Sequence, residues 1–110
     1  MKASDSIKKN AGFVNKFLKK ELKGNPKQLY DAASHLILHG GKRLRPFLVL
    51  KSCQMLGGRQ SDAMAAASAV EMIHNFTLVH DDIMDNDEMR HGVPTTHKKF
   101  DMPLAILAGD

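Results

Sequence analysis

Apolar residues recur along this chain at three- and four-residue steps, and glycine and proline cut that pattern into blocks. In the first block Ile7, Phe13, Val14, Phe17, Leu18 and Leu22 form one stripe, Lys8, Lys9, Lys16, Lys19, Lys20 and Lys23 lie largely opposite, and Gly24 ends the run. Such a period belongs to a helix, because a half-buried strand alternates every second residue, and nothing here alternates over more than a few positions. A second helix is expected with Asn25 as N-cap and Pro26 at its first position, running to Gly40 and Gly41; a third opens at Pro46 and closes at Gly57 and Gly58. Ser61 or Asp62 can cap a fourth, from about Ala63 into an acidic cluster. After "HGVPTTH", read as a loop, Asp101 and Pro103 read as the cap and first residue of a further helix, "MPLAILAGD". The chain therefore reads as all-α. Its last helix stops at Asp110 in mid-pattern, which would leave apolar surface without a partner, so the expectation is that residues 1–110 are the truncated N-terminal part of a single domain.

Composition narrows the function classes. With 43% hydrophobic and 25% charged residues the chain resembles a soluble globular protein, and no segment reaches the ~18 uninterrupted apolar residues of a membrane span. The start, "MKASDSIKKN", lacks the apolar core of a secretory signal, and a single Cys53 cannot form an internal disulfide or a cysteine zinc site, so a reducing cytoplasm is expected. The lysines of the first block read as a solvated outer face. A formal charge of +4 suits an anionic ligand. Nucleic acid is disfavoured: there is no Trp, one Tyr, and no helix-turn-helix, zinc module or sheet platform to read or stack bases.

Two constellations carry chemistry. In "HDDIMDNDE" five acidic residues fall within eight positions, Asp81 to Glu88. On a helix Asp81 and Asp85 are about 40° apart around the axis and one turn apart along it, whereas Asp82 points about 100° away from Asp81. Two carboxylates on one face repel unless a hard cation lies between them, and Mg²⁺ takes one or two carboxylates with phosphate oxygens and waters. His74, seven residues earlier, lies about 20° off the same face and about 10 Å along the axis. Glu71 could orient it or pair with a cation, and the residues leave that open. In "GGKRLRP" two glycines allow close backbone approach, Lys42, Arg43 and Arg45 supply charge, and Pro46 opens a helix whose free N–H groups attract anions, which together suit a diphosphate.

Taken in order, "GGKRLRP", "EMIHNFTLVHDDIMD", "RHGVPTTH" and "LAGD" closely resemble the N-terminal part of the trans-isoprenyl diphosphate synthases over Gly40 to Asp110. The resemblance implies an all-α fold around a central cavity, a homodimer, and Mg²⁺-dependent condensation of isopentenyl diphosphate with an allylic diphosphate. It implies that Lys42, Arg45 and His74 hold the diphosphate of isopentenyl diphosphate, that Asp81 and Asp85 bind Mg²⁺ bridging the allylic diphosphate, and that Arg90 contacts the latter. It places residues that set product length at Phe76 and Thr77, with a product of farnesyl to geranylgeranyl length expected. Where the family has a second arginine this chain has His91, which donates fewer hydrogen bonds and is mostly uncharged near pH 7, so that contact should be weaker or pH-dependent. The family's second aspartate-rich motif is absent from residues 1–110, and the chain alone is expected to be inactive. The alternative is a non-catalytic diphosphate-binding or heteromeric partner module derived from the family; a terpene cyclase, which typically lacks "GGKRLRP", ranks third.

Overall fold

Each apolar block folds into the helix its period dictates. The computed structural model describes residues 3–110, with side chains from Ser4 onward. Its order is α1 (Ala3–Glu21), α2 (Lys27–Ser34), α3 (Leu44–Met55), α4 (Gln60–Asp85), β1 (Met89–Arg90), β2 (Val93–Pro94), α5 (Thr96–Lys99) and α6 (Met102–Gly109). The 26-residue α4 is the spine. Around its first half Ala63 and Ala67 pack with Val14 and Leu18 of α1, Leu50 of α3 and Ile37. Around its second half Val79 packs with Leu36 and with Ala105 of α6, flanked by Ile83 and Val93.

Several boundaries move from their expected places. α2 stops at Ser34 instead of reaching Gly40, because adjacent Leu36 and Ile37 enter different core clusters and a turn lets each reach its own. Pro26, not Asn25, occupies the position before α2. α3 starts at Leu44, two residues ahead of Pro46, which still sits in the first turn where its missing N–H costs no helical hydrogen bond. α4 starts at Gln60, so Ser61 and Asp62 lie in its first turn rather than at a cap; Asp62 there faces Arg59 at 3.5 Å and favours the positive helix end. The cap of α6 is as expected: Asp101 Oδ1 accepts from Leu104 N at 2.8 Å, although Met102 precedes Pro103 in the helix. Phe13 leaves the first stripe, being 43% exposed, while Val14 and Leu18 are buried.

The expected loop "HGVPTTH" supplies the turn and second strand of an antiparallel hairpin, which pairs Met89 with Pro94 and Arg90 with Val93, and runs into the short α5. Two residues per strand are too few to show alternation in sequence. The turn residues His91 and Gly92 both have positive φ, 53° and 77°, which matches the right-handed twist of a tight hairpin. The hairpin is anchored where α2 ends: His35 Nε2 donates to the Pro94 carbonyl at 2.7 Å.

One polar contact joins three parts of the fold. Arg43, at φ 58° and only 4% exposed, donates from Nη1 to Glu71 Oε2 at 3.1 Å, from Nε to Asn15 Oδ1 at 2.7 Å, and from Nη2 to the Ile37 carbonyl. Arg43 is therefore not one of the free charges of "GGKRLRP", and Glu71 is its partner. Removing one member of such a pair strands the other charge, so Glu71→Ala should lower stability by roughly 3–5 kcal/mol. Urea denaturation checks this, and a loss under about 1 kcal/mol, the range of exposed pairs, would show the contact to be marginal.

Candidate functional site

The packing of α3 on α4 brings the two constellations together. Arg45, on the first turn of α3, donates from Nη1 to His74 Nε2 at 3.2 Å across 29 residues of sequence. Because a guanidinium can only donate, the ring presents Nε2 as acceptor and carries its proton on Nδ1. Lys42, Arg45, His74 and His91 line one cavity of about 130 Å³, closed by Gly41 and Leu78. Four of the expected substrate-binding residues, drawn from a loop, two helices and a hairpin turn, thus share one small basic space.

Glycine is required behind one of its lining residues, His91. A Cβ on Gly40 would lie 2.7 Å from His91 Cγ, so the ring occupies the space a side chain would take. Burial pushes the His91 imidazole below its ordinary pKa, and the Arg90 and Arg43 guanidiniums push the same way; Asp82 and Glu71 pull it back up by less.

The acidic end of α4 divides its carboxylates between two tasks. Asp82 is fully buried and accepts Arg90 Nε on both oxygens, at 2.9 and 3.0 Å, and Arg90 Nη2 on Oδ1 at 2.8 Å. That hydrogen bond is the main reason the Arg90 pKa is raised, against the opposing effect of burial. Two of the guanidinium nitrogens are therefore spent on holding the hairpin to α4, a role its sequence position did not signal. Asp81 and Asp85 are exposed, and among the described residues neither is paired with a cation. Asn86, at φ 55°, ends the helix directly after Asp85, and Asp87 N closes the turn on the Asp82 carbonyl at 2.9 Å. No group of three or more His, Cys, Asp or Glu side chains converges among the described residues. Two exposed carboxylates still fit Mg²⁺, which is content with one or two when phosphate and water complete its shell.

Thr77 and Phe76 face different spaces. Thr77 is exposed on the Asp81 side, its hydroxyl donating to the His74 carbonyl at 2.6 Å. Phe76 is half-buried and lines a second cavity of about 440 Å³ with Leu29, Tyr30, Met72 and Leu107, between α2, α4 and α6. Sequence reasoning also passed over His80, which donates from Nε2 to the Ile106 carbonyl at 3.1 Å and so ties α4 to α6; Gly109 leaves room for that ring, since a Cβ there would lie 2.3 Å from it.

Residues 26–110, which carry the basic cavity and the acidic end alike, match the family model for polyprenyl synthetase. The chain belongs to that family. Geranylgeranyl diphosphate synthase of Saccharolobus solfataricus is 55% identical over 97 residues, covering 88% of this chain and 29% of the relative. Geranylgeranyl pyrophosphate synthase of Geoglobus acetivorans is 54% identical over 108 residues, covering 97% and 34%. The solved geranylgeranyl pyrophosphate synthetase of Pyrococcus horikoshii superimposes with a TM-score of 0.91 at 46% identity, over 97% of this chain and 33% of that one. The all-α polyprenyl synthetase fold is thereby established for a chain that spans about a third of the length of these relatives.

The glycine packed against His91 offers a direct check. Gly40→Ala should overpack that contact, cost about 1–3 kcal/mol and displace the His91 ring. Urea denaturation and a structure of the variant read both effects, and unchanged stability with His91 in place would show that the contact yields freely.

Proposed function

We propose that the whole protein condenses isopentenyl diphosphate with an allylic diphosphate to give a short-chain prenyl diphosphate of farnesyl to geranylgeranyl length. The observation that carries this reading is the juxtaposition on α4 of a basic cavity without free carboxylates and a pair of exposed carboxylates about 20° from it around the helix. One site suits a bare diphosphate; the other suits a diphosphate that arrives with metal. The names of the relatives, synthases of geranylgeranyl diphosphate, support the same chemistry.

In this reading Lys42 and Arg45 anchor the diphosphate of isopentenyl diphosphate, with His74 oriented by Arg45 and His91 completing the wall. Asp81 and Asp85 would hold Mg²⁺, which when bound would supply positive charge to an allylic diphosphate. Arg90 serves the acidic end by fixing the hairpin through Asp82, with its remaining nitrogen directed at the allylic diphosphate. The hydrocarbon chain needs a dry apolar path, because water would quench a developing allylic cation. Below Asp81, Val70 and Ile73 continue the exposed face of Thr77, and α3 adds exposed Leu44 and Leu48. The homodimer implied by the family resemblance, located in the cytoplasm, is the proposed form, with exposed Ile106 on α6 available for contact with a second copy.

Asp81→Ala and Asp85→Ala should each lower turnover of the whole protein by orders of magnitude, since metal stabilisation is worth several kcal/mol and each ~1.4 kcal/mol is tenfold in rate. Excess EDTA should abolish turnover, and full activity with the chelator present would refute Mg²⁺ dependence. Product length is expected to respond to both candidate positions. Thr77→Phe should shorten the product by filling the space under Asp81, and Phe76→Ala should lengthen it by opening the cavity beside Leu107. Chromatography of the products decides, and an unchanged chain-length distribution in a folded variant removes that residue from the path.

A further inference from the structure

The basic cavity holds two imidazoles, the side chains whose charge can change near neutral pH, and of these His74 already accepts Arg45 on Nε2, which leaves His91 as the ring without such a contact among the described residues. The groups that face it come from every neighbouring element: Lys42 and Arg43 from the loop before α3, Arg45 from α3, Glu71, His74 and Asp82 from α4, and Arg90 from β1. Among these, Arg43 is cancelled by Glu71 and Arg90 by Asp82. Lys42 and Arg45 remain as permanent charges. A diphosphate carries more negative charge than those two cations neutralise. The group left to supply the difference is the His91 ring, held between its left-handed turn and the bare backbone of Gly40, because Nε2 of His74 is taken by Arg45.

We infer that a diphosphate entering the Lys42, Arg45 and His74 cavity takes up a proton on His91, so that the affinity of this subsite is coupled to pH. The inference rests on the cavity being the diphosphate site proposed above. Without ligand, burial and two neighbouring guanidiniums hold the ring below its ordinary value of 6.5, hence uncharged at neutral pH. A bound anion reverses the dominant field and raises that value. The sign follows from linkage: a group whose pKa rises on binding strengthens binding fully below its free-state pKa, and the gain is lost as pH rises through the bound-state pKa. Affinity therefore falls with rising pH across a window that opens below 6.5, by up to about tenfold per unit inside it. An arginine at this position, as in the resemblance drawn from sequence, would stay charged throughout and show no such window.

The test is calorimetry of inorganic pyrophosphate binding to the whole protein in EDTA, which keeps the carboxylate pair and its metal out of the measurement. Titrations in buffers of different ionisation heat, from about pH 5.5 to 8.5, count the protons taken up across the range where histidine titrates. His91→Asn removes the titratable ring with a residue that tolerates positive φ, and His91→Arg restores a fixed charge. The wild type should take up a proton and bind more weakly as pH rises. His91→Asn should lose the uptake and flatten the profile. His91→Arg should bind about tenfold more tightly than wild type at the alkaline end, the effect of one additional charge-assisted hydrogen bond to the anion. The ionisation of pyrophosphate itself is common to all three proteins. Equal uptake and slope in wild type and His91→Asn would place the proton elsewhere and overturn the inference while leaving the site intact. Pyrophosphate that fails to bind, or that binds equally well to Lys42→Ala and Arg45→Ala, would overturn the diphosphate site and the inference with it.

Discussion

The buried pair between Arg43 and Glu71 is the contact on which the arrangement of the site depends. A guanidinium withdrawn from water must find partners for its donors, and those available lie on α1, on the turn after α2 and on α4. Satisfying them fixes the "GGKRLRP" loop against the middle of α4. With the loop fixed, Lys42 and Arg45 line one cavity, where Arg45 meets His74. The left-handed backbone of Arg43 is disfavoured for a residue with a Cβ, and the buried network holds it there.

Asp82 and Arg90 repeat this logic at the other end of the site. A carboxylate that ran along the surface with its neighbours would add repulsion to an already acidic helix end. Buried and matched to a guanidinium in a two-pronged contact, it becomes the anchor of the hairpin. The hairpin in turn carries His91 to the cavity wall. Of three aspartates in one helical turn and a half, the middle one thus builds the site, and the outer two stay free on the exposed face.

The separation of roles also has an electrostatic consequence. The two buried pairs are each close to neutral, so they shape the cavity without dominating its field. The net field comes from Lys42 and Arg45 on one side and from Asp81 and Asp85 on the other, and His74 and Asp81, which mark the two sides on α4, are about 10 Å apart along its axis. A bare anion and an anion bound to a hard cation are drawn to different places on the same helix.

How much was legible in the sequence depended on whether a signal was local. Helix period, the turn at Gly57, the Asp101 cap and the shared face of His74, Asp81 and Asp85 all arise within a few residues of one another, where backbone geometry leaves little choice. The family followed from motifs whose order and spacing are themselves linear. Pairings across 28 or 29 residues, Arg43 with Glu71 and Arg45 with His74, were not legible, nor was the turn that ends α2 early to send Leu36 and Ile37 into separate clusters. Sequence by itself determined that the chain is helical and where its charges could collect. Only the tertiary structure decided which charges are buried and cancelled and which remain for a ligand, because burial is a property of what packs against a residue, and packing partners are chosen by the whole fold rather than by neighbours in the chain.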